Sequence, residues 1–122
     1  MNYFNPYARS SKYGNKKTVL GKLVFDSKKE SERFLELSML EKAGVIKNLE
    51  RQKRFEIVPK TETERARFYC ADFVYSENGK TVIEDVKSKA TFEDKVFRLK
   101  WALMKWRYPE FEYRIYGVDG KK

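Results

Sequence analysis

The 122-residue sequence contains no histidine, one cysteine and three prolines. Without histidine there is no Ser–His or Cys–His nucleophile pair. HExxH metalloprotease chemistry and every histidine-liganded zinc site are excluded as well. The lone cysteine, Cys70, closes no disulfide within the chain, which fits a reducing, cytoplasmic setting. No apolar run approaches the roughly 18 residues that would span a bilayer. The first residues also lack the apolar stretch of a secretory signal. Chemistry near pH 7 must therefore use carboxylates, lysine, tyrosine or the one thiol.

What is present is charge and aromatic mass. Lys and Arg number 27 against 18 Asp and Glu, a net charge of +9. Such a chain is drawn to a polyanion, and nucleic acid is expected here rather than a membrane. Charge kept only for solubility is the plainer alternative. Hydrophobic residues make up 41%, including 9 Phe, 8 Tyr and 2 Trp, so the chain is expected to fold around a core. Its length suits one domain, at about 100–200 residues per domain.

The N-terminal stretch is all basic. Arg9, Lys12, Lys16, Lys17 and Lys22 face no acid before Asp26, and Tyr3, Phe4, Tyr7 and Tyr13 lie among them. Residues 1–17 read as a flexible arm suited to phosphate neutralisation and base stacking, or simply as a leader. Residues 18–122 read as the single domain. Within it, residues 18–25 suggest a strand. Ser27 with Glu30 forms a capping box that opens a helix running to about Ala43, with Gly44 as its C′ residue. Residues 48–58 suggest a strand closed by Pro59, and residues 60–64 a turn. Residues 66–75 and 80–87 form two further strands. A last helix begins near Thr91, with Asp94 completing another capping signature, and ends before Pro109. Phe111–Tyr116 alternates as a final strand. The expected order is β-α-β-β-β-α-β.

Asn78-Gly79 is the strongest short hairpin signal, a two-residue type I′ loop. It sets Glu77 against Lys80, Tyr75 against Val82 and Phe73 against Glu84. Asp72 then faces Asp85, with Cβ atoms about 4.5–5.5 Å apart. Two facing carboxylates repel unless a divalent cation lies between them, and hard oxygen ligands suit Mg²⁺ or Mn²⁺. Asp85 and Lys87 share a face by strand period, with Ile83 and Val74 as an apolar floor. Glu84 points the other way, although a one-residue bulge would exchange Glu84 and Asp85. The alternative is a solvated strand face neutralised by Lys87. Glu30 lies one turn before the apolar stripe Phe34, Leu37, Met39/Leu40, as a fourth site member or only as half of the capping box. Gln52 is a further polar candidate. Cys70, opposite Lys87 in this register, reads as a small buried residue, with a metal role as the alternative.

These residues carry a resemblance. Ala71-Asp72-Phe73 followed after a hairpin by Glu84-Asp85-Val86-Lys87 resembles the signature of the PD-(D/E)XK nuclease superfamily. The helix with Glu30 and the helix after the hairpin complete that superfamily's restriction-endonuclease-like αβββαβ core, an α/β fold with a central mixed sheet. Together with Phe25-Asp26-Ser27-Lys28-Lys29-Glu30 the motifs look like small phage-encoded endonucleases similar to Holliday-junction resolvases. The resemblance implies that Asp72 and Asp85 bind Mg²⁺, with Mn²⁺ as a substitute. It implies that Glu30 completes the acidic cluster, that the backbone carbonyl of Val86 joins the metal shell, and that Lys87 assists the attacking water. Two departures stand out: Ala71 occupies the usual proline position, and the second acid is Asp where many members have Glu.

DNA contacts are expected from the N-terminal arm and from Lys47, Arg51, Lys53 and Arg54. Lys95, Arg98 and Lys100 of the last helix, followed by Lys105 and Arg107, extend this set or form a solvated outer face. Such contacts position a duplex without reading its sequence. Phe97, Trp101 and Met104 form one stripe for core or dimer packing, and Trp106 also reads as core. Symmetric cutting of a four-way junction would need two active sites, hence a homodimer. Competing readings are a nicking, flap-cutting or restriction-type nuclease of the same fold, and a non-catalytic basic DNA-binding module.

Overall fold

A computed structural model describes residues 17–21 and 23–117. A short hairpin, β1 (Thr18–Leu20) and β2 (Leu23–Phe25), precedes helix α1 (Lys28–Lys42). Strands β3 (Lys47–Val58), β4 (Arg67–Glu77) and β5 (Lys80–Val86) follow. Helices α2 (Lys89–Phe92) and α3 (Lys95–Arg107) then lead to β6 (Glu112–Tyr116). The main sheet has the order β3-β4-β5-β6, with β5 and β6 parallel and the other pairs antiparallel. The fold is mixed α/β, a four-stranded mixed sheet flanked by helices, compatible with the αβββαβ core expected.

Local chemistry explains the elements. The Ser27 side chain accepts from Glu30 N at 3.1 Å and starts α1. The helix stops in a Schellman arrangement, with Gly44 N on Glu41 O and Val45 N on Leu40 O. Asn78 and Gly79 have φ of 53° and 81°, as a type I′ turn requires. The expected pairs Glu77↔Lys80, Tyr75↔Val82 and Phe73↔Glu84 all form.

Two expected elements are corrected. Residues 18–25 are not one strand: the chain reverses at Gly21, and Thr18 pairs with Phe25. The last helix is split. Ser88 and Thr91 make a capping box for α2, and Asp94 caps α3 by accepting from Phe97 N at 3.1 Å. Asp94 is thus a helix start of its own.

Each face of the sheet has a core. Leu37, Ile46, Phe73, Tyr75 and Val82 pack on the α1 side. Ile57, Tyr69, Ala71, Val74, Ile83, Phe97, Trp101, Met104 and Ile115 pack on the α3 side. Truncating fully buried Leu37 or Met104 to Ala would cost about 2–5 kcal/mol. Phe97, Trp101 and Met104 are the buried stripe of α3, but Trp106 is 74% exposed, contrary to its expected core position. Met39 is likewise exposed rather than part of the α1 stripe. Trp106 lies five residues beyond Trp101, which turns it off the buried face of a 3.6-residue helix.

The alternation slips once, and the slip positions the site. On β4, Tyr69 and Ala71 join the α3-side core, whereas Phe73 and Tyr75 join the α1-side core. On β3, Ile57 and Phe55 pack with the α3-side core, whereas Arg51 lies over Phe25 and Phe34 near α1. Both strands therefore turn over between the pairs Lys53↔Ala71 and Arg51↔Phe73, and the register is kept. The row between those pairs holds Gln52 and Asp72. Gln52 has φ 54°, the left-handed conformation that turns the strand.

Candidate active site

The hairpin ladder ends at Phe73↔Glu84, one row before Asp72 and Asp85. In that next row side chains replace the ladder. Asp72 N donates to Asp85 Oδ1 at 3.0 Å, and Val86 N donates to Asp72 Oδ2 at 2.9 Å. The two carboxylates are thus brought together as the turn arithmetic required. Asp85 is 2% exposed, while Asp72 keeps part of its surface open. Val74 and Ile83 belong to one core cluster and form the expected floor. Lys87 Nζ lies 3.5 Å from Asp85 Oδ2 and 4.5 Å from the centre of the Phe97 ring.

The electrostatics are unbalanced. Burial raises the proton affinity of Asp72 well above the usual carboxylate range, and repulsion from Asp85 and Glu30 adds to it. Burial raises Asp85 as well, against the pull of Lys87 and of its hydrogen bonds. Burial alone would discharge Lys87, but Asp85 and Asp72 outweigh it and raise its affinity for the proton. Lys87 is therefore a cation at neutral pH. Lys87 faces an acidic row that cannot fully ionise beside it.

Glu30 joins from α1. It is 3% exposed, and Gln52 Nε2 donates to its Oε2 at 3.1 Å. Burial pushes its carboxyl up to about 7, helped by Asp26 and Asp85 and opposed by Arg51. The Ser27 half of the capping box forms, while the Gln52 bond turns the Glu30 carboxylate to the sheet. Gln52 also accepts from Cys70 Sγ at 3.3 Å, which ties Glu30 to β4. Cys70 is only partly buried. Burial, with Asp72 and Asp85 nearby, pushes its thiol up to about 11, so it is protonated and a poor nucleophile. Among the described residues, no three Asp, Glu or Cys side chains close around a common point. Nothing there hydrogen-bonds Asp72 Oδ1.

Two site neighbours escaped the sequence reading. Tyr69 neighbours Asp85, and among the described residues its buried hydroxyl has no hydrogen-bond partner. Strict alternation could not have found it, because the slip at Asp72 changes the phase. Lys29, in the first turn of α1, reaches the ends of the parallel strands, where its Nζ contacts Gly117 O at 3.4 Å. Gly117 is required there: its φ is 105°, and a Cβ would stand 2.8 Å from Lys87 O. The Phe25-to-Glu30 motif was the available signal for Lys29.

The basic residues proposed for DNA do not act alike. Lys17, Lys47, Lys53, Arg54, Lys95 and Arg98 are exposed, and Lys100 is partly buried. Lys53 pairs with Glu50 at 3.1 Å, Arg54 stacks on Phe68 and Arg98 on Phe92. Arg51 is a clamp: it lies 4.0 Å over Phe25 and donates to Val24 O at 2.8 Å. Arg9, Lys12 and Lys16 lie outside the described residues.

The chain belongs to the family described as protein of unknown function (DUF1064), which it matches over residues 10–117. No curated protein and no solved structure matches it.

Proposed function

We propose that this protein is a divalent-metal-dependent endodeoxyribonuclease of the PD-(D/E)XK type, acting on branched DNA such as a four-way junction. The observation that carries the reading is the row of Asp72 and buried Asp85, brought face to face with Lys87 3.5 Å from Asp85. The donor set fits Mg²⁺ or Mn²⁺: two facing carboxylates, of which Asp72 Oδ2 is held by the Val86 N–H while Asp72 Oδ1 has no hydrogen-bond partner among the described residues. A divalent ion also supplies the positive charge that the row lacks. Asp72, Asp85 and the Val86 carbonyl would hold the ion, with Glu30 at the edge of the site.

Bound there, such an ion supplies Lewis acidity toward a phosphate and makes water a better nucleophile at neutral pH. The protein's own groups supply the rest. Lys87, fixed as a cation, stabilises negative charge building on the phosphate oxygens and is not the base. Glu30, with proton affinity near neutrality, can take a proton at its carboxylate, which Gln52 orients. Lys29 meets a neighbouring phosphate at the strand ends. Two active sites, and so a homodimer, suit symmetric cutting. The resemblance places such an enzyme in the cytoplasm of a phage-infected bacterium. No helix among the described residues is long and apolar enough to cross a membrane.

The test is a panel of synthetic four-way junctions, flaps and linear duplexes incubated with Mg²⁺ and with EDTA. Mg²⁺-dependent cutting that favours the junction supports the full reading. Preference for flaps or linear duplex keeps the nuclease and replaces its substrate. No cutting of any substrate with Mg²⁺ or Mn²⁺ overturns the enzyme and leaves a basic binding module.

A further inference from the structure

We infer that Tyr69 is a positioning residue of this site, whose hydroxyl, unpaired in the metal-free protein, donates to the Asp85 carboxylate when a cation is bound and holds it in its cation-binding orientation. The inference rests on the metal-site reading above. Its basis is a buried hydroxyl with no partner. Tyr69 is 3% exposed, and its oxygen has no hydrogen-bond partner among the described residues. Native interiors rarely leave a polar atom this way, and one that persists calls for a reason.

The surroundings supply the reason. Tyr69 is locked by an edge contact with Trp101, ring centres 5.8 Å apart, and Trp101 packs on Phe97 at 5.4 Å. Phe97 in turn carries the Lys87 ammonium. One aromatic wall on the α3 side thus runs from Tyr69 to Lys87, and Asp85 lies beside it on the strand face of Ile83 and Lys87. The Asp85 oxygens are held by the Asp72 N–H at 3.0 Å and, more loosely, by Lys87 at 3.5 Å. A carboxylate accepts up to about four hydrogen bonds, so Asp85 retains capacity for the hydroxyl. The phenol is close enough for the two groups to shift each other's proton affinity. Residues that orient a metal-binding carboxylate this way commonly change metal affinity by about 10–100-fold when removed.

The variant Tyr69→Phe keeps the ring, its contact with Trp101 and the fold, and removes only the oxygen. The experiment measures Mn²⁺ affinity by titration calorimetry and the melting temperature of the metal-free protein, for the wild type and the variant. The expected result has opposite signs. Without metal, the variant melts at the same or a higher temperature, because an unpaired buried hydroxyl is gone. Its Mn²⁺ affinity falls by about 10–100-fold. Equal Mn²⁺ affinity overturns the inference. A lower melting temperature without metal also overturns it, since the hydroxyl would then serve the fold. If the wild type itself binds no Mn²⁺, the metal site fails first, and the Tyr69 role with it. That outcome is distinct from wild-type binding that the variant retains.

Discussion

Glu84 and Asp85 are consecutive, almost fully buried acids on one strand, and they live in opposite circumstances. Glu84 faces α1. It accepts from Arg33 Nε at 2.6 Å, from Arg33 Nη2 at 3.0 Å and from the Tyr75 hydroxyl at 2.7 Å. Arg114 backs this group, contacting the Tyr75 hydroxyl at 3.3 Å and Glu77 at 2.8 Å. Asp85 faces the other way and meets a second acid, Lys87 at 3.5 Å and the neighbouring Tyr69 hydroxyl, which forms no close hydrogen bond among the described residues. A buried charge with a complete set of partners is a structural element. One left short of positive charge, and opening on solvent through Asp72, is arranged to receive a cation. Strand period 2 divides these roles between adjacent residues.

The comparison can be broken on the Glu84 side first. Arg33→Ala strips a buried carboxylate of its counter-charge and should cost about 3–5 kcal/mol of stability by chemical denaturation. A loss under about 1 kcal/mol would mean that the pair behaves as a surface ion pair, and the contrast with Asp85 would fail.

A smaller effect is expected at Glu30, with a definite pH signature. Its folded-state pKa is raised from 4.5 to about 7. The folded state therefore holds the proton more tightly than the unfolded chain does. The stability tied to that proton is present below pH 4.5 and is lost as pH rises through about 7. Metal-free Glu30→Gln should then melt higher than wild type at pH 8, by at most about 3 kcal/mol. The advantage should vanish below pH 4.5, and a gain that persists there would contradict the assignment.

The two tyrosines sharpen the comparison further. Tyr75→Phe removes a hydroxyl bonded to buried Glu84 and should cost about 1.5–3 kcal/mol. Tyr69→Phe removes one without a close hydrogen-bond partner among the described residues and should cost nothing in the metal-free protein. Parallel melts of the two variants test this, and equal losses would erase the distinction between the two faces.

Much of the site was legible because it rests on local rules. Asn78-Gly79 fixes a turn type, the turn fixes a register, and the register sets Asp72 against Asp85. Ser27 and Gly44 bound α1 by capping chemistry, which places Glu30 one turn from its start. What stayed hidden depends on long-range choices. The turnover at Gln52 and Asp72 comes from a left-handed backbone at a residue with no special propensity for it, and it decides which face Tyr69 occupies. The Arg33–Glu84 pair joins residues far apart in sequence, so no periodicity announces it. The split before α3 was signalled by Ser88 and Thr91, but the longer apolar pattern across residues 92–106 concealed it. Trp106 shows the limit of composition: a large apolar residue reads as core until helix phase turns it outward.

The most direct test of the unbalanced acidic row is cleavage of a synthetic four-way junction by wild type and Asp85→Asn, each with Mg²⁺ and with EDTA. The amide keeps the shape of the side chain and an acceptor for Asp72 N while removing the charge that would hold the ion. The account predicts that the variant remains folded and loses on the order of 10³-fold in cutting rate, about 4 kcal/mol of barrier. Full, Mg²⁺-dependent cutting by Asp85→Asn would contradict it.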